Sequence, residues 1–307
     1  MEPLYDMVVI GGGPAGYTAA MYGARAGMRV MVLEKLSAGG QIALATQVDN
    51  YPGFPEGVDG FTLGENMRAG AERFGAKTEL AEVYAVDLRS DPKRVETSEG
   101  TFYGKTVVLA TGANPKKLGV DAEQALIGRG VSYCATCDGM LYRGKTVMVV
   151  GGGNTAVAEA LALSRVAKKV FLVHRRDALR ASKIYHAPLQ KVENVEFIWN
   201  TKVSGFLAGE RVTGVVLENV ITGERRELPC DGVFVSIGRA PATELVKEQL
   251  PLDDSGYILA DETTRTEIPG VFAAGDIRRK ELRQVVTAVA DGAAAAYSAE
   301  SYLTHLE

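Results

Sequence analysis

Apolar runs alternate with glycine turns along this chain, and twice the alternation takes the same form. Tyr5-Asp6-Met7-Val8-Val9-Ile10, rich in β-branched residues, predicts a buried strand. Gly11-Gly12-Gly13-Pro14-Ala15-Gly16 follows, and Pro14 in a first helical turn with Gly27 past the last predicts a helix between them. Arg29-Val30-Met31-Val32-Leu33 predicts the next strand, ending at Glu34, 23 residues after Gly11. The pattern returns where Thr146-Val147-Met148-Val149-Val150 precedes Gly151-Gly152-Gly153-Asn154-Thr155-Ala156 and a helical stretch from Val157 to about Ala167. The following strand, Val170-Phe171-Leu172-Val173, ends at His174, again 23 residues after the first glycine of its turn.

Each repeat closes alike. Val107-Val108-Leu109-Ala110-Thr111-Gly112-Ala113-Asn114-Pro115 is echoed by Val233-Phe234-Val235-Ser236-Ile237-Gly238-Arg239-Ala240-Pro241: strand, glycine turn and proline, as expected where a domain hands over to a linker. The first domain is therefore interrupted by the second. Beyond the second hand-over, Gly270-Val271-Phe272-Ala273-Ala274-Gly275-Asp276 gives one more strand, ending in glycine and an acid, and an alanine-rich helix runs from about Val285 to Leu303. The fold class this predicts is α/β, with two Rossmann-like dinucleotide-binding domains, one inserted into the other.

A glycine turn alone is weak ground for a nucleotide site; its setting decides. Here it follows a strand, so the backbone can approach a pyrophosphate. It opens a helix, whose N-terminus faces that charge, and an acid or a base stands about 20 residues on at the ribose. In the second turn Ala156 replaces the third glycine, where helix packing needs only a small residue. Glu34 suits a free ribose diol, whereas His174-Arg175-Arg176, joined by Arg180, suits a 2′-phosphate. The second site is thus expected to take NADPH and the first an unphosphorylated adenosine ribose.

Composition bounds the rest. At about 150 residues per domain, 307 residues suggest two domains, and 46% hydrophobic with 23% charged is ordinary for a soluble globular protein. The sum of 34 basic and 38 acidic residues, net −4, gives no footprint for nucleic acid or an anionic membrane. No apolar run is long enough to span a bilayer, and Met1-Glu2-Pro3 leads almost at once into a strand without a signal peptide, so a cytoplasmic protein is expected. Three histidines and three cysteines are too few and too scattered for a zinc site, and no metal is expected.

Two cysteines nevertheless stand together, in Val131-Ser132-Tyr133-Cys134-Ala135-Thr136-Cys137-Asp138-Gly139. With no second pair to complete a zinc site, the spacing reads as a redox pair whose sulfurs share one side of a helical turn. A helix N-terminus there would favour the thiolate. Asp138 adjoins the second sulfur, where it can exchange a proton with it or cap the turn; the sequence supports both. Cys230 reads as filler before a buried strand, and His186 and His305 stand in ordinary polar contexts.

Together these segments, with Gly39-Gly40-Gln41 and Phe272-Ala273-Ala274-Gly275-Asp276, resemble the low-molecular-weight thioredoxin reductases along essentially the whole chain. The resemblance implies an FAD domain at 1–114 and 241–307 and an NADPH domain carrying the cysteine pair at 115–240. It implies Gly11, Gly13, Pro14, Ala15, Glu34 and Lys35 at the FAD adenosine and pyrophosphate, and Gly39, Gly40, Gln41 and Asn50 nearer the flavin. It places Val83, Ala110, Thr111 and Gly112 in the same site, Gly275 and Asp276 by the ribityl chain, and Arg283, Gln284 and Val285 at the isoalloxazine. For NADPH it implies Gly151, Gly153, Asn154, Thr155, Ala156, His174, Arg175, Arg176, Arg180, Ile237 and Gly238. It also implies that hydride passes from NADPH to FAD, that Cys137 faces the flavin while Cys134 attacks thioredoxin, that Asp138 is the acid/base, and that the protein is a homodimer whose inserted domain turns on its linkers. Val157-Ala158-Glu159-Ala160 and Val285-Val286-Thr287-Ala288 depart slightly from the familiar pattern and leave the electron donor open to ferredoxin or reduced flavin. A dithiol oxidase on the same fold and an idle nucleotide sensor are the competing readings.

Overall fold

Alternate side chains of the first strand, β1 (Leu4–Ile10), find apolar partners on both faces, so it lies at the centre of a sheet rather than at an edge. In the computed structural model, which describes residues 3–45, 47–185, 188, 189 and 191–305, it is followed by α1 (Pro14–Arg25), β2 (Val30–Glu34), α2 (Gly60–Glu72), β3 (Lys77–Leu80), β4 (Val83–Asp87), β5 (Lys93–Thr97), β6 (Gly100–Leu109) and β7 (Ala113–Pro115). Next come β8 (Val131–Ser132), α3 (Ala135–Asp138), β9 (Thr146–Val150), α4 (Asn154–Ser164), β10 (Lys169–Val173), β11 (Val195–Ile198), β12 (Thr201–Ala208), β13 (Val212–Asn219), β14 (Arg225–Pro229), β15 (Gly232–Val235) and β16 (Arg239–Pro241). The last elements are β17 (Val271–Ala273) and α5 (Val285–Thr304). His186 lies outside the described residues.

The chain divides into two compact units, Met1–Asn114 with Ala240–Glu307, and Pro115–Arg239. In the first, β3, β2, β1, β6 and β17 run parallel, and β6 continues through β5 to β4 as an antiparallel meander. Met7 and Val9 pack on the alanines of α1 and α5, while Val8 and Ile10 pack on Val246, Leu250 and Ile258. Small residues let the two helices meet closely: a Cβ on Gly292 of α5 would strike the Ala15 carbonyl of α1. Register sets the site. Ile10 pairs with Leu33 and Leu109, and Leu109 with Ala273, so Gly11, Glu34, Ala110 and Ala274 emerge side by side at the carboxyl edge, where open α/β sheets bind ligands.

In the second unit, β11, β10, β9, β15 and β8 form a wholly parallel sheet. Val147 and Val149 face Ala156, Val157, Ala160 and Leu163 of α4; Met148 and Val150 face the other way, toward Val215 and Leu217 of the antiparallel sheet β12-β13-β14. Burying each such side chain contributes about 1.5–3 kcal/mol. Val150 pairs with both Val173 and Val235, which again lines up the residues that follow: Gly151, His174 and Ser236. Helix α4 begins at Asn154, three residues before the Val157 expected from its apolar run, because Gly153 already serves as its N-cap.

Candidate functional site

The glycines of the two turns do three different jobs. Gly11 and Gly151 sit at φ 106° and 153°, backbone that side chains rarely adopt, and a Cβ on them would meet the carbonyl oxygens of Ala110 and Ser236. Gly16 and Ala156 are small because they pack against the turn itself: a Cβ on Gly16 would strike the Gly11 carbonyl, and Ala156 is fully buried. Gly13 and Gly153 are required by neither strain nor contact. They are extended N-caps (φ −81° and −93°), the nearest atom to a Cβ on Gly13 is 3.9 Å away, and nothing lies within 4 Å of one on Gly153. Both leave open space above a helix N-terminus, the space a pyrophosphate takes.

Around the first turn, both Glu34 oxygens already hold backbone: Oε2 accepts from Gly12 N at 2.6 Å and Oε1 from Leu36 N at 3.0 Å. Gly39 N donates to Gly12 O, and Gly40 comes close to Gly13. Gln41 Nε2 donates to Asn114 Oδ1 and Asn50 Nδ2 to Gln284 Oε1, so Asn50 is tied to the cap of α5, where Gln284 and Thr287 form a capping box ahead of Val285. Arg283 lies over the Tyr257 ring at 4.1 Å, its Nε buried without a partner among the described residues. Thr111, before Gly112, donates to Ala242 O, and Asp276 sits half-buried in the short turn after Ala274. Lys35 pairs with Glu82 in solvent, and Val83 is half-buried in the sheet beneath.

Around the second turn, Arg180 N and Ala181 N both donate to Gly152 O, pinning the loop that carries Arg175, Arg176 and Arg180 against the glycines. All three arginines are exposed, as a phosphate clamp requires. His174 is not like them: it is buried, with its ring beneath Gly152 and edge-on to Trp199. Burial, then the charges of Arg180, Arg176 and Arg175, hold it below the usual histidine range, so it is a neutral packing group. Asn154 Oδ1 accepts from Ser182 N, Thr155 is exposed, and Ile237 and Gly238 follow the edge residue Ser236.

Cys134 and Cys137 are joined by a disulfide, Cα to Cα 5.3 Å, at a turn of four residues. Cys134 is the N-cap of α3, and its sulfur accepts from Cys137 N at 3.2 Å. Asp138 makes no cap bond to the turn that follows; Ser132 Oγ donates to its Oδ2 at 2.6 Å and accepts from Cys134 N at 3.1 Å. One hydroxyl thus joins the carboxylate to the cysteine backbone. Cys230 is buried, its thiol pushed up to about 12 by burial and then by Asp231, as suits filler.

Two features escaped the sequence reading. Asp291, in the alanine-rich α5, accepts from Gly275 N, from Arg278 through both Nε and Nη2, and from Lys280 Nζ, all at 2.8–2.9 Å with the three side chains buried. Burial works to raise it, but these bonds and charges win and hold it below the carboxylate range. The cluster fixes the Gly275-Asp276 turn; its only signal in the sequence is an acid inside the apolar stretch 285–299. The second is Glu159 on α4, which reaches the cysteine turn and is taken up below. A cavity of about 1050 Å³ beside the Asp291 cluster includes none of the turn residues, so volume alone does not find the nucleotide groove.

Comparison with known proteins follows the same lines. The profile of the pyridine nucleotide-disulphide oxidoreductases matches residues 5–292. The thioredoxin reductase of Streptomyces clavuligerus is 47% identical over 309 residues, covering 100% of this chain and 96% of that one; the thioredoxin reductase of Treponema pallidum is 43% identical and fully covered on both sides. Among solved structures, thioredoxin reductases from Streptococcus pyogenes and Giardia duodenalis superpose with TM-scores of 0.92 and 0.91 at 41% and 34% identity, each over 99% of this chain and 100% of the other.

Proposed function

The chain belongs to the pyridine nucleotide-disulphide oxidoreductase family, and from that premise we infer that it is an NADPH-dependent thioredoxin-disulfide reductase with FAD as its cofactor. The observation that carries the reading is the Cys134–Cys137 disulfide, held at a helix cap in the same unit as a glycine turn ringed by three arginines. The relatives found act, by name, on thioredoxin, and nothing favours the oxidase or sensor alternatives.

The residues fit both dinucleotides. Gly13 and Gly153 leave room that nothing in the protein fills, and Arg283 offers a buried Nε with no partner among the described residues. Gly13, Glu34 and Arg283 would hold FAD, which when bound would supply the hydride-accepting chemistry toward NADPH and the electron pair for the disulfide. Arg175, Arg176 and Arg180 hold the 2′-phosphate, and the amide end of α4 faces the pyrophosphate. Once the disulfide is reduced, the Cys134 thiolate attacks a sulfur of oxidised thioredoxin, breaking that disulfide and forming a mixed one. Cys137 then attacks Cys134 and releases thioredoxin as a dithiol, restoring the Cys134–Cys137 bond. Asp138, steadied by Ser132, takes and returns the proton of the adjacent thiol. No described helix is long and apolar enough to cross a membrane. That the enzyme is a cytoplasmic homodimer is part of the same proposal and rests on the family resemblance.

Steady-state reduction of a thioredoxin from the same organism tests the reading. NADPH should serve at least tenfold better than NADH, and the Cys134→Ser, Cys137→Ser double variant should be inactive. Undiminished turnover by that variant would overturn it.

A further inference from the structure

One half-buried carboxylate reaches the redox turn from outside it. Glu159 Oε1 accepts from Ala135 N at 3.2 Å, the first amide of α3 and the one next to Cys134, and Oε2 accepts from Ser236 Oγ. Ser236 directly follows β15 beside the glycine turn: its N–H donates to Val150 O, and its carbonyl is what a side chain at Gly151 would strike. Both partners donate to Glu159, the arrangement of an ionised carboxylate. Burial holds Glu159 above the usual carboxylate range, opposed by the bonds from Ser236 Oγ and Ala135 N and by the charge of Arg239 at the start of β16; α3 itself carries the acid Asp138. Within the turn, Ala135 is buried in the α4 core, while the cysteines are half-buried.

We propose that Glu159 is a positioning residue for the disulfide: its carboxylate fixes the first amide of α3 and sets a negative charge against the end of the turn that Cys134 caps, disfavouring the thiolates of the reduced pair. The Cys137 amide that donates to the Cys134 sulfur would stabilise a thiolate; Glu159 leaves that bond in place and opposes it with a negative charge held at the turn through Ala135 N. The pair is thereby kept a stronger reductant than the cap geometry alone would make it. This rests on reading Cys134–Cys137 as the working disulfide.

The test uses flavin-loaded enzyme and dithiothreitol. In the exchange the Cys134–Cys137 bond breaks, two S–H groups form, and the two electrons and two protons come from the reagent, which closes to its cyclic disulfide. The fraction reduced is read by trapping thiols with iodoacetamide and weighing the peptide. In Glu159→Gln, which keeps volume and hydrogen bonding but drops the charge, the equilibrium should shift toward dithiol about threefold to tenfold, with alkylation of the reduced pair at pH 7 faster by a similar factor. Glu159→Asp, which keeps the charge, should stay within twofold of wild type. Equal behaviour of all three proteins overturns the proposal, as does an equal shift in both variants, or loss of flavin or far-UV signal in Glu159→Gln, which would make the residue a structural one. The readout needs no thioredoxin, so failure of the activity itself is told apart from failure of this role.

Discussion

Replacing single glycines within one turn separates folding from nucleotide binding. At Gly153 the backbone is extended (φ −93°, ψ −179°) and a Cβ meets nothing within 4 Å. Gly153→Ala should gain about 0.4–1 kcal/mol by narrowing the unfolded ensemble and lose up to about 1 kcal/mol because alanine is a poorer N-cap than glycine. The net lies between a loss of about 0.6 and a gain of about 1 kcal/mol. At Gly151 the same change forces φ 153° on a side chain, about 1–3 kcal/mol, and drives a methyl into the Ser236 carbonyl and to 2.8 Å from the Ala156 Cβ. A loss of at least about 2 kcal/mol follows. Yet Gly153→Ala puts its methyl where the pyrophosphate lies, so its KM for NADPH should rise at least tenfold, or about 1.4 kcal/mol. Urea unfolding followed by Trp199, in the second unit, together with NADPH kinetics, reads both quantities. An unchanged KM in Gly153→Ala, or destabilisation equal to that of Gly151→Ala, would refute this division of labour.

Two further outcomes follow from the buried charges. Asp291→Asn strands Arg278 and Lys280 without their anion and should cost about 3–5 kcal/mol while lowering the flavin-to-protein absorbance ratio; retained flavin and stability would show that the cluster does not hold the Gly275 turn. Since Asp291 is held below its usual 3.8, its stabilisation is present above that pH and is lost as pH falls through the lower folded value. His174 is held below its usual 6.5, so the unfolded chain binds the extra proton, and the second unit should weaken as pH falls below about 6.5. Glu159, raised by burial above its usual 4.5, works in the opposite sense. The urea midpoint by Trp199 fluorescence should therefore show a smaller loss between pH 7.5 and 5.5 in His174→Gln than in wild type; identical slopes would deny His174 its part.

The turns were legible because the glycines stand between an apolar strand and a helix start, a local pattern, although the atoms that exclude a side chain at Gly11 and Gly151 are the distant Ala110 and Ser236 carbonyls. Glu34 and the arginines were legible for the same reason, lying one strand further along. What could not be read was the company a side chain keeps. His174 continues a basic run in sequence, but it directly follows β10 with its ring buried under Gly152, while Arg175 and Arg176 stand exposed in the loop beyond. Glu159 and Asp291 look like solvated helix acids until tertiary packing sets Ala135 N against one and Arg278 against the other. Asp138 was open between cap and proton carrier, and only the position of Ser132, six residues earlier, shows what its carboxylate faces.

The most direct test of the central claim counts thiols. After anaerobic incubation with excess NADPH, native alkylation and peptide mass analysis should find label on Cys134 and Cys137 and none on Cys230, which is buried with its thiol pushed up to about 12. Adding oxidised thioredoxin before the alkylating agent should remove that label and yield reduced thioredoxin. NADPH consumed with no label at Cys134 and Cys137, or thioredoxin reduced while both remain disulfide-bonded, would contradict the account.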